Sequence, residues 1–94
     1  MGGGQTGQNE CLRLRSEGLE WRVADEQLII LDLQSSTYVT VNRSARVLWE
    51  RLELGATVEE LAGSLLERYG ISAEQADADA RSFVEDLQGR GMLA

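Results

Sequence analysis

Apolar residues recur at about every second position as far as Val41 and at about every 3.6 positions from Asn42 onward. A chain whose hydrophobic period changes once, near its middle, can be neither all helix nor all sheet. Its first half must present alternate side chains on a sheet, and its second half must present stripes on helices. With one region of each kind, each apolar face is buried most directly against the other, which is the α+β arrangement.

Before the switch, Leu19, Trp21 and Val23, then Leu28 to Leu33, then Tyr38, Val39 and Val41 predict strands near 19–24, 27–33 and 37–41. The polar breaks Ala24-Asp25-Glu26-Gln27 and Gln34-Ser35-Ser36 have hairpin length, so the strands form an antiparallel meander. Leu28-Ile29-Ile30-Leu31 is apolar on both faces, as a central strand is, which leaves residues 37–41 at an edge. After the switch, Asn42 caps a helix near 43–53 whose stripe is Ala45, Leu48, Trp49 and Leu52, and Gly55 ends it in a left-handed conformation. Thr57-Val58-Glu59-Glu60 is a capping box opening a helix near 58–69, stopped by Gly70. Ser72-Ala73-Glu74-Gln75 is a second box, opening a helix near 73–88 with Ala76, Ala80, Phe83, Val84 and Leu87 on one stripe. A three-stranded antiparallel sheet followed by three helices is a winged-helix-turn-helix-like order. Residues 1–10, with four glycines, read as a disordered tail, and residues 11–94 as one domain.

The chain holds no histidine, and its one cysteine, Cys11, can form neither an internal disulfide nor a Cys-His pair. Acidic residues at Glu59-Glu60 and Asp77-Asp79 open helices, where the dipole accounts for them. No catalytic constellation, cofactor or metal is expected. The formal net charge of −7 repels a phosphate backbone, and residues 73–88 carry five acidic side chains against the single Arg81. Nucleic acid is therefore not the expected partner, although a winged-helix DNA-binding regulator is the rival reading of the element order. A generic acidic module docking on a basic protein is another. No segment approaches a membrane span of roughly 18 apolar residues, and the start lacks a signal peptide, so the expectation is a cytoplasmic protein with no membrane partner.

Leu12-Arg13-Leu14-Arg15, Ile29-Ile30-Leu31-Asp32-Leu33 and Thr37-Tyr38-Val39-Thr40-Val41-Asn42 resemble, in order, the opening and strands of a PqqD-like domain. Val47-Leu48-Trp49-Glu50-Arg51-Leu52 and Thr57-Val58-Glu59-Glu60-Leu61 resemble its first two helices. Asp79, Phe83, Val84, Leu87 and Gly91-Met92-Leu93 resemble its third helix and the exit from it. The family's strand usually ends Leu-Asn, where this chain has Val41-Asn42. The resemblance implies a recognition element that binds the leader of a ribosomally made precursor peptide. A free-standing copy looks most like the leader-binding partner of split lasso-peptide systems, which implies a separate transglutaminase-like cysteine peptidase and a cyclase as partners.

An edge strand leaves backbone N–H and C=O groups that an added strand can satisfy. The resemblance places the leader antiparallel to the third strand, in a cleft against the third helix. The expected peptide-binding residues are Thr37, Tyr38, Val39, Thr40 and Val41 on the strand, with Ala76, Asp77, Ala80, Arg81 and Val84 on the helix. Ala76 and Ala80 either leave a groove or allow close packing. Asp77 and Arg81 either grip the guest or bridge each other in solvent. Tyr38 has the same choice between peptide and core, whereas Trp49 belongs to the core by its helical spacing.

Overall fold

Asp25 and Glu26 form a two-residue turn, with Asp25 at φ 58°, that joins β1 (Leu19–Ala24) to β2 (Gln27–Asp32). A loop of residues 33–36 joins β2 to β3 (Thr37–Val41), and the sheet runs β1-β2-β3, antiparallel throughout. The computed structural model describes residues 10–94; the tail expected over 1–10 falls outside them except for Glu10. Leu28 and Ile30 point into the core, and Val39 and Val41 pack beside them as their cross-strand partners. Ile29 and Leu31 lie half-buried on the opposite face.

The helices follow the sequence closely: α1 (Arg43–Leu54), α2 (Val58–Tyr69) and α3 (Ala73–Gly89). Asn42 Oδ1 accepts from the Ala45 N–H at 3.0 Å, and Thr57 and Glu60 close the full reciprocal box. The second expected box forms only in half. Ser72 Oγ accepts from Gln75 N–H, but the Gln75 amide turns along the helix to Asp79 Oδ1 at 2.8 Å. Gly70 ends α2 in the left-handed region, as expected. Gly55 ends α1 at φ 89° and ψ 130° instead, with Cys11 and Arg13 passing close beside it. Thr57→Ala removes an acceptor from the start of α2 and should lower stability by about 1 kcal/mol, read as a shifted urea midpoint with an unchanged slope.

Trp49 and Leu52 of α1, Leu61 and Leu65 of α2, and Ala76, Ala80 and Leu87 of α3 meet Leu28 and Ile30 in one cluster. Each large side chain withdrawn from water there contributes about 1.5–3 kcal/mol before the entropy of ordering is counted. Trp21 sets its ring edge-on to Trp49, centroids 5.2 Å apart, and so covers the core from β1. The segment 12–15 is not a fourth strand of the sheet. It bridges Leu12 to Ala56 and Leu14 to Leu93, tying the α1–α2 connection to the C-terminus. Among the described residues, no helix is long and apolar enough to cross a membrane.

Candidate functional site

Which backbone groups β3 leaves open is set by hydrogen-bond parity. In an antiparallel ladder, successive residues point their N–H and C=O alternately to one neighbour and the other. A two-residue turn makes its closing pair, here Ala24 and Gln27, a bonded one. Odd-numbered positions of β2 therefore face β1, and Leu33 N–H continues the series by donating to Gly18 O at 2.8 Å. Even-numbered positions face β3, so Leu28, Ile30 and Asp32 bond with Val41, Val39 and Thr37. Tyr38 and Thr40 are left with their N–H and C=O directed away from the sheet. These two residues form the free edge.

Beside that edge lies an open cleft of about 540 Å³. Thr40, Val41 and Asn42 form one wall, Ser44, Ala45 and Leu48 of α1 the end, and Asp79, Ser82, Phe83 and Asp86 of α3 the other wall, with Leu65 contributed by α2. Ser44 and Ala45 are small, so the start of α1 does not fill the space. Val41, Leu48, Leu65 and Phe83 give an apolar lining, and Asp79 and Asp86 stand on it two helical turns apart. Among the described residues, no cluster of His, Cys, Asp and Glu could hold a metal ion. Chemically, the arrangement can pair with an extended backbone and seat one or two side chains.

The strand half of the expected site sits at this edge. Thr40 and Val41 line the cleft, Val39 packs against the core, and Thr37 Oγ1 lies 2.7 Å from Ser35 Oγ. Tyr38 is 70% exposed on the outer face of the sheet, so it neither fills the core nor enters the cleft. The α3 half is placed elsewhere. Ala76 and Ala80 are wholly buried in the core cluster that includes α2, which is the close-packing use of small residues. Asp77 and Arg81 bridge at 2.8 Å on an exposed face. Arg81 and Val84 border a separate depression with Leu12 and Val58. The helix turns a different stripe, 79, 82, 83 and 86, toward β3. Phe83 was the visible signal, since it is the one large apolar side chain among those four positions.

The sequence model of the family described as coenzyme PQQ synthesis protein D (PqqD) matches residues 27–93. Two solved structures are similar, each with a TM-score of 0.78. One, described as "Lasso peptide synthetase B1 complexed with the leader peptide", is 26% identical and covers 88% of this chain and 96% of its own. The other, described as "TbiB1 in Complex with the TbiA(beta) Leader Peptide", is 23% identical, covers 86% and 93% respectively, and bears on the fold alone. No curated protein matches the chain. The family match takes in β2, the edge strand β3 and all three helices, hence every wall of the cleft, and the chain belongs to the PqqD family.

Proposed function

We propose that this protein holds the leader segment of a ribosomally synthesised precursor peptide and presents it to a separate enzyme that modifies or cleaves the precursor. The leader adds to the sheet at β3, pairing with Tyr38 and Thr40, and seats alternate side chains in the cleft between β3 and α3. The observation that carries this reading is the backbone of those two residues, unpaired among the described residues, beside an unfilled cleft that combines an apolar floor with polar walls. The similar structure of 26% identity, described as a complex with the leader peptide, supports it. The pathway assigned is lasso-peptide biosynthesis in the cytoplasm, with a transglutaminase-like cysteine peptidase and a cyclase as the enzymes served. The protein itself contributes binding and not chemistry.

Calorimetric titration of the purified chain with the synthetic leader of its own precursor tests this. The expected result is single-site binding at about micromolar Kd or tighter, with new hydrogen-exchange protection at Tyr38 and Thr40. Peptidase cleavage of the precursor should then depend on adding this chain. A flat titration with no protection at β3 would sink the reading.

A further inference from the structure

The cleft is charged on one side only. Its α3 wall carries Asp79 and Asp86, and no arginine lines it, although all nine basic residues of the chain are arginines. Those nearest in sequence on α1 are engaged elsewhere: Arg43 with Glu26, and Arg46 with Glu50. Among the described residues, Asp79 accepts from a neutral amide, that of Gln75, and Asp86 holds Arg90 in an exposed pair at 3.1 Å. An exposed pair of that kind exchanges for another cation at little cost. Between the two carboxylates in sequence stands Phe83, on the same stripe of the helix, and it lines the cleft together with Val41.

Resting on the peptide-binding reading above, we infer that the cleft selects a basic leader: an extended segment with an apolar residue over Phe83 and Val41 and an arginine or lysine two positions to either side. The spacing comes from the two geometries. Asp79 and Asp86 are seven residues apart, which is about 10 Å along a helix. Side chains on one face of a strand recur at about 6.8 Å, so residues two before and two after the anchor span about 13 Å, and long basic side chains lean inward to the carboxylates. The pattern reads the same in both directions, so it does not depend on whether the guest runs parallel or antiparallel to β3. Residues between these positions face the other way, on the side of the sheet that carries Thr40, and are free to vary. The net charge of −7 adds a long-range attraction for the same basic segment.

Three fluorescein-labelled peptides test this, identical apart from a core of Arg-Thr-Leu-Thr-Arg, Gln-Thr-Leu-Thr-Gln or Glu-Thr-Leu-Thr-Glu. Anisotropy titrations on the full chain should rank them Arg, Gln, Glu, with about tenfold between the first and last at low salt. The Asp79→Asn/Asp86→Asn double variant should close that gap, with the Arg peptide losing the most affinity. Both positions are solvent-exposed, so its thermal melt serves as the folding control. Salt at about 0.5 M should shrink the gap in the wild-type chain alone. If the Gln peptide binds but the three do not differ, or the gap survives in the double variant, the charge selection is overturned and strand addition stands. If none of the three binds, both fall.

Discussion

Thr40→Pro should lower affinity for the leader by about a hundredfold and leave the melting temperature nearly unchanged. Proline removes the backbone donor and places its ring where the N–H was. At Thr40 that donor points off the sheet, so the ladder between β2 and β3 keeps all its bonds. Val39, the residue before it, is already extended, as a residue preceding proline must be. The guest strand loses one backbone bond and meets a ring at the border it pairs with. Val39→Pro makes the contrast, because the Val39 N–H faces Ile30 and its loss breaks the sheet itself. The expected signature is a pair of neighbouring substitutions, one losing binding with the fold intact and the other losing the fold. A folded Thr40→Pro chain that binds the leader like wild type would rule out pairing at this edge.

That contrast also marks the limit of the amino-acid pattern. β3 is legible from its β-branched run and its place after a two-sided central strand, and its bounds at residues 37 and 41 are those observed. Which of its residues face outward is a matter of parity, fixed by the Asp25-Glu26 turn at the far end of β2. Side-chain alternation says nothing of this, since it tracks the faces of the sheet and not its edges. The third helix shows the same division. Its length and its buried stripe of Ala76, Ala80, Val84 and Leu87 are written in the spacing. Small residues on such a stripe are consistent with a groove or with close packing, and here α3 lies close against α2. The cleft wall is the neighbouring stripe, polar except for Phe83, and only the rotation of the helix against its neighbours selects it. The capping residues were the most faithful local signals, because Asn42, Thr57 and Ser72 each satisfy an N–H within three residues and need no tertiary partner.

Arg15→Met should lower the melting temperature by on the order of 10 °C at neutral pH. Asp32 lies at the end of β2, only 3% exposed, and its Oδ1 accepts from Arg15 Nη2 at 2.7 Å and from the Gln34 N–H at 3.0 Å. The same guanidinium donates to the carbonyls of Glu17, Gly18 and Gly91, so one side chain ties the N-terminal segment, the start of β1, the end of β2 and the C-terminus together. The hydrogen bond from Arg15 holds the Asp32 carboxyl below its ordinary value of 3.8; burial works against this, and the Gln34 and Ser35 N–H groups add to it. The lowered folded-state value sets the sign. Well above pH 3.8 the carboxylate is ionised in both states and its stabilisation is complete. As the pH falls below 3.8 the unfolded chain takes up the proton first, and the stabilisation drains away until the folded carboxyl is protonated as well. Methionine keeps most of the length and apolar stem of Arg15 but leaves the carboxylate with backbone donors alone. The gap between wild type and variant should therefore be widest near neutrality and should narrow on acidification below pH 3.8. Asp32→Asn, made in the Arg15→Met background, should recover part of the loss, because a neutral amide oxygen still accepts from Gln34 without leaving a charge unpaired. Melts that coincide at neutral pH, or a gap that does not change with pH, would mean that Asp32 is held by Gln34 and Ser35 and that Arg15 only covers it.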